Sequence, residues 1–220
     1  MTVFMDTVGA HYCVSHAHPG DVERAHKYGQ SVMLDNGAFS KWKSGKETDW
    51  NKYYQWVDRW LDYPTTWAAI PDEIDGSEKV QDELIKQWPF GNRGSPVWHM
   101  HEPVDRALRL IDEWPRVCFG SSGHYETVGS PAWCSRMDEV FSEIEKRHKR
   151  TPWIHMMRGM QCVKWGFPFA SVDSADVARN HHARFGGAAP MVRRWDAMQC
   201  PPRLISQVSL INLKEAIGHG

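Results

Sequence analysis

None of the five cysteines (Cys13, Cys118, Cys134, Cys162 and Cys200) stands in a Cys-x-x-Cys pair. That excludes the common dithiol redox motif and the closely spaced ligand sets of zinc ribbons. Their odd number and wide spacing suggest no disulfide framework, so reduced thiols are expected. No apolar run reaches membrane-spanning length and no signal-peptide pattern is present, which predicts a cytoplasmic protein without a membrane partner. An excess of positive charge is missing as well: 26 Lys and Arg stand against 27 Asp and Glu, a formal net charge of -1. A protein that coats nucleic acid without sequence preference neutralises phosphates and is basic overall. This balance argues against that class, yet it allows an enzyme with a local basic patch. No Pro/Gly/Ser-rich linker, short repeat or low-complexity tract divides the 220 residues, and one domain over 1–220 is expected.

What is present is the composition of a folded protein, 41% hydrophobic and 24% charged, with twelve tryptophans that suit cores and base-stacking surfaces alike. Short apolar runs predict strands at Tyr12–Ser15, Ser31–Leu34, Trp67–Ile70, Val97–His101, Val117–Gly120, Trp153–Met157 and Phe167–Val172, with a weaker eighth near Pro190–Val192. Between them the helical period recurs: Tyr53, Trp56, Val57, Trp60 and Leu61; then Val104, Ala107, Leu108 and Ile111; then Met137, Val140, Phe141 and Ile144. Leu204, Val208 and Ile211 suggest a closing helix. Alternating strand and helix means parallel strands joined by crossover helices. Seven or eight such units predict an α/β protein of the (β/α)8 TIM-barrel type, with an open doubly wound sheet as the alternative.

Polar residues follow the predicted strands at corresponding places. Asp35 follows Leu34, Asp72 follows Pro71, and His101 with Glu102 ends the Val97 run. Ser121, Ser122 and Gly123 follow Gly120, Arg158 follows Met157, and Asp173 follows Val172. In a barrel these positions converge on one mouth, where active sites are built. The simpler reading of each Asp is a helix cap or turn residue: Asp35 in the Asp35-Asn36-Gly37 turn, Asp173 capping a helix that begins near Ser174. Two clusters could supply positive surface: Lys146–Arg150, which also reads as a solvated helix end, and Arg179, Arg184, Arg193 and Arg194. Histidines cluster as His16/His18, His99/His101 and His181/His182, which supports a second reading, a metal-dependent barrel hydrolase.

Leu34-Asp35-Asn36-Gly37-Ala38-Phe39-Ser40 resembles the D-S-G-G-F-Q signature of tRNA-guanine transglycosylases, and more closely the D-[SN]-G-A-F-S variant of their DNA-modifying relatives, the DpdA-type 7-deazaguanine DNA transglycosylases. Ala69-Ile70-Pro71-Asp72-Glu73 is similar to the segment whose Asp reads the incoming base. Gly120-Ser121-Ser122-Gly123 resembles the glycine-rich base-pocket loop, and His155-Met156-Met157-Arg158-Gly159-Met160 the segment that lays a Met against the base. Ser171-Val172-Asp173-Ser174, followed by Arg179-Asn180, resembles the nucleophile segment. The likeness runs from about Asp35 to Asn180; the zinc-binding Cys/His set of the tRNA enzymes is missing, and His99-Met100-His101-Glu102 stands where they carry a Gln-Gly type sequence.

The resemblance implies a base exchange in DNA: guanine leaves and a 7-deazaguanine base such as 7-cyano-7-deazaguanine enters, with no cofactor and no metal. Asp173 would be the nucleophile that holds the deoxyribose covalently, by the logic of retaining glycosidases. Asp35 would move the proton at the leaving and entering base. Asp72, His101 and the backbone of Gly120, Ser121, Ser122 and Gly123 would bind the base, between Phe39 and Met157. Arg158, Arg179 and Arg184 would contact phosphates, with the target nucleotide flipped out or single-stranded. An enzyme acting on tRNA, and an inactive nucleic-acid-binding module on the same fold, are the remaining alternatives.

Overall fold

The computed structural model describes residues 3–45, 48–182 and 186–204. Along them run α1 (Val3–Asp6), β1 (His11–Ser15), α2 (Val22–Tyr28), β2 (Ser31–Asp35), α3 (Ala38–Ser44), α4 (Trp50–Asp58), β3 (Thr66–Ala69), α5 (Glu78–Lys86), β4 (Gly94–Ser95), β5 (Val97–His99), α6 (Val104–Glu113), β6 (Val117–Gly120), α7 (Pro131–Arg147), β7 (Ile154–Met157), β8 (Ser171–Val172), α8 (Asp176–Asn180) and α9 (Ala188–Asp196). The architecture is α/β, with two four-stranded parallel sheets ordered β1-β2-β3-β4 and β5-β6-β7-β8. The chain divides into two compact units, Met1–Val97 with Ala175–Arg194, and Trp98–Ser174 with Trp195–Gly220. Among the described residues no helix is long and apolar enough to cross a membrane.

In the first unit β1, β2 and β3 pair in parallel, so the connections must cross over. The helix α4 does this with the predicted face: Tyr53 and Val57 are fully buried. Burying Tyr53 requires a partner for its hydroxyl, and the hydroxyl reaches Leu34 O at 3.2 Å and Ala69 O at 2.6 Å, tying the ends of β2 and β3 to the helix. Asp49 caps α4 by accepting from Lys52 N.

The second unit is built around aromatic packing. In α7, Ser130 Oγ accepts from Trp133 N, Pro131 occupies the first turn, and Trp133, Met137, Val140, Phe141 and Ile144 form the buried stripe. Phe141 lies 5.1 Å from Phe169 and 5.8 Å from Phe167, ring centre to ring centre, and Phe119 lies 4.7 Å from Trp98. Core packing therefore accounts for Trp98 and Trp133, as expected of most tryptophans, whereas Trp42 is 50% exposed.

Three elements differ from the pattern read in the sequence. Pro190–Val192 is not a strand but part of α9, where Pro190 lies in the first turn and Ala188 and Met191 are buried. The eighth strand is instead β4, at Gly94–Ser95. A Cβ on Gly94 would collide with the Trp88 indole and the Ile70 side chain, so this strand needs a glycine and carries none of the apolar signal that marks strands. The Phe167–Val172 run narrows to Ser171–Val172, because Phe167 and Phe169 turn into the aromatic core. Of the closing helix, Val208 and Ile211 lie outside the described residues.

Candidate functional site

In the first unit, Asp35 is the last residue of β2 and pairs in register with Ser15. Its carbonyl accepts from His16 N at 2.8 Å. The turn that follows is built on Gly37, whose left-handed backbone (φ 75°, ψ 11°) precedes α3. Gly37, not Asp35, holds the position before that helix. The residue between them does the linking. Asn36 is 1% exposed, and its amide donates at 2.7 Å to Ile70 O and at 2.7 Å to Asp72 Oδ1, while its carbonyl accepts from Ala38 N at 2.9 Å. A buried side-chain amide satisfied on both ends fixes its surroundings. Here it ties the end of β2, the end of β3 and the start of α3 around the Asp72 carboxylate, itself 4% exposed. Phe39 lies half-buried in the first turn of α3, its ring 5.6 Å from that of Trp42. Arg179 is exposed on α8; Arg184 lies outside the described residues.

The second unit gathers the rest. Parallel register pairs Gly120 with Met157, and His155 with Ser171. Because side chains alternate along a strand, Gly120, His155, Met157, Ser171 and Asp173 belong to one face of this sheet. Met157 is half-buried, in contrast to Met156, which is wholly in the core. Asp173 accepts from Arg158 N at 2.6 Å and lies 3.2 Å from His155 Nε2, both on Oδ1. It does not cap α8, which starts at Asp176 with Ala175 in the capping position and no side-chain bond. Arg158 presents its N–H by an unusual route: among the described residues it is the one non-glycine with a positive φ, 51°. Such a backbone costs about 1–2 kcal/mol in an L residue, and strain of this kind concentrates at functional sites.

The loop after β6 splits in two. Ser121 Oγ accepts from Trp133 Nε1 at 3.0 Å and so serves the core, while Ser122 Oγ lies 2.8 Å from His101 Nδ1. Gly123 has a left-handed φ of 56° and opens a short turn. His101 is exposed and stacks on His99 at 5.7 Å. Its loop is anchored from beneath by Glu102, whose carboxylate accepts from His99 N at 2.8 Å and from Arg106 Nε at 3.0 Å with both side chains buried. Arg136 donates to the carbonyls of Met100 and Glu102. Among the described residues no three of His, Cys, Asp and Glu are grouped to hold a metal ion, so the histidine pairs lack a third ligand there. The Lys146–Arg150 run is the solvated helix end: Lys146 pairs with Glu143 and Arg147 with Asp112.

Sequence reading missed Asn36, His155 and the Glu102–Arg106 pair. A signal existed for His155, a titratable residue inside the apolar run Ile154-His155-Met156-Met157. Asn36 stands inside the Leu34–Ser40 segment, yet its linking role is invisible there: it reads as an ordinary turn residue until β3 is placed beside β2. No family model, curated protein or solved structure matches the chain.

Proposed function

We propose that the chain is a (β/α)8-barrel transglycosylase that exchanges guanine in DNA for a 7-deazaguanine base through a covalent aspartyl-deoxyribose intermediate. Each strand neighbours the next in sequence within both sheets. A doubly wound sheet reverses its order at a switch point, so the order supports the barrel. The observation that carries the chemistry is Asp173, a carboxylate at a strand end held from one side only, on the face that also carries Gly120 and Met157. Those two supply what a planar base needs, a flat backbone edge and a polarizable thioether.

In this reading Asp173 attacks C1′ as the C1′–N9 bond breaks, and Asp35 gives the departing guanine its proton. The incoming base returns a proton to Asp35 as its N9 displaces the Asp173 carboxylate from C1′. One glycosidic bond is lost and one gained, so neither oxidant nor cofactor is consumed. By the resemblance, Asp72, held by Asn36, accepts from the donor edge of the base, Phe39 and His101 are further base contacts, and Arg158 and Arg179 take phosphates. Incubation with labelled guanine and either DNA or tRNA tests the proposal: label is expected in DNA, with a protein–DNA adduct on denaturing gels that Asp173→Asn abolishes. Label in tRNA alone would reassign the substrate, and exchange by Asp173→Asn protein at the wild-type rate would refute the nucleophile.

A further inference from the structure

We infer that His155 is a positioning residue for Asp173, held in a single tautomer by Ser171, and that the attacking atom is Asp173 Oδ2. The inference rests on the base-exchange reading for its chemistry and on geometry for its residues. A carboxylate only accepts hydrogen bonds, so His155 Nε2, 3.2 Å from Asp173 Oδ1, must carry the proton. In the neutral ring Nδ1 is then the acceptor for the Ser171 hydroxyl, 2.7 Å away. Ser171 and His155 are register partners in adjacent strands, so the contact is set by the sheet and not by a loop. His155 is 3% exposed, which keeps water from competing for either nitrogen.

The second donor, Arg158 N–H, ends on the same oxygen. With both donors on Oδ1, and among the described residues no hydrogen bond to Oδ2, the carboxylate cannot turn freely about Cβ–Cγ and presents one unshared oxygen. The consequence runs through both half-reactions. Oδ2 forms its bond to C1′ while C1′–N9 breaks and the base leaves with the electron pair. Oδ1 becomes the carbonyl oxygen of the ester and keeps its two donors. When the incoming base attacks C1′, the Oδ2–C1′ bond breaks and the returning negative charge is met by donors already in place, as electrostatic preorganisation requires. His155 neither gains nor loses a proton.

Two measurements on the full-length chain test this separately. In 15N NMR, the neutral ring of His155 is expected as its Nε2–H tautomer, and Asp173→Asn or Ser171→Ala should shift its ring resonances; a protonated Nδ1 in the neutral wild-type ring would overturn the assignment whether or not the protein exchanges bases. In the exchange assay, His155→Leu should lose about a hundredfold in kcat with KM for the free base unchanged, the size expected when a reacting group is misplaced by about an ångström. His155→Gln, which keeps an N–H donor and an acceptor, should recover most of that loss, and Ser171→Ala should fall between. Equal defects in the Gln and Leu variants, or a wild-type kcat in Ser171→Ala, would overturn the positioning role; the second result decides even if His155→Leu does not fold. An adduct lost in Ser171→Ala but kept in Asp173→Asn would make the serine the nucleophile. A wild-type protein that exchanges nothing would refute the base-exchange reading, while the NMR result would still decide the tautomer.

Discussion

Replacing Asn36 by Leu should be among the most damaging changes available in the first unit, although only one side chain of similar size is altered. The Asn36 amide makes two neutral hydrogen bonds, to Ile70 O and from Ala38 N, and one to the Asp72 carboxylate. Neutral bonds contribute about 1 kcal/mol each and one to a charged group about 2 kcal/mol. The site is 1% exposed, so water cannot replace what is lost and the unmet groups add to the cost. The expected loss is about 3–5 kcal/mol, or a fall of about 10 °C in Tm at this chain length. Urea unfolding followed by circular dichroism should show a lower midpoint with an unchanged slope. Asn36→Asp sharpens the test. It keeps the acceptor for Ala38 N but sets a second carboxylate against Asp72, and two such groups cannot both ionise cheaply. One of the pair then has a raised folded-state pKa, so the variant is closest to wild type at low pH and loses stability as the pH rises through that value. An Asn36→Leu protein within 1 kcal/mol of wild type, or an Asn36→Asp protein whose deficit does not grow with pH, would refute the bridging role.

Other consequences are expected. Arg106→Met, which leaves Glu102 buried without its guanidinium, should cost about 3–5 kcal/mol, and adding Glu102→Leu should restore part of it; additive losses in a denaturation cycle would contradict the coupling. Burial and the charge of Lys41 hold the His16 imidazole below its usual 6.5, against the pull of Asp49, and burial does the same to His26. Their contribution is therefore complete above about pH 6.5 and is lost as the pH falls from there toward the depressed folded values; His16→Gln should flatten the fall in urea midpoint over that window, and an unchanged slope would refute it. Arg158→Gly relieves the left-handed strain while keeping the N–H on Asp173, so stability should rise by up to about 1 kcal/mol and adduct formation persist. Removing the proposed phosphate contact of the guanidinium, the same variant should lower the salt dependence of DNA binding by a slope of about one, as should Arg179→Ala.

By itself the sequence determined the elements whose signal is local. The faces of α4, α6 and α7 follow from residues three and four apart, and six of the eight strands stand close to the places their apolar runs indicate. The strand-end positions of Asp35, Asp72 and Asp173 were legible for the same reason. The remaining features depend on partners distant in the chain. β4 is two residues with a glycine forced by Trp88 and Ile70, and Pro190–Val192 is helical because Ala188 and Met191 bury one face. Whether an Asp caps a helix or meets a neighbouring strand is decided only once strands are in register: that pairing hands Asp173 to His155 and Arg158, sets Ser171 beside His155, and makes Asn36, an ordinary turn residue in the sequence, the link to Asp72. Periodicity reports which face a residue occupies; only tertiary pairing brings a donor to a particular oxygen, because a hydrogen bond depends on tenths of an ångström between atoms that the sequence separates by 15 to 36 residues.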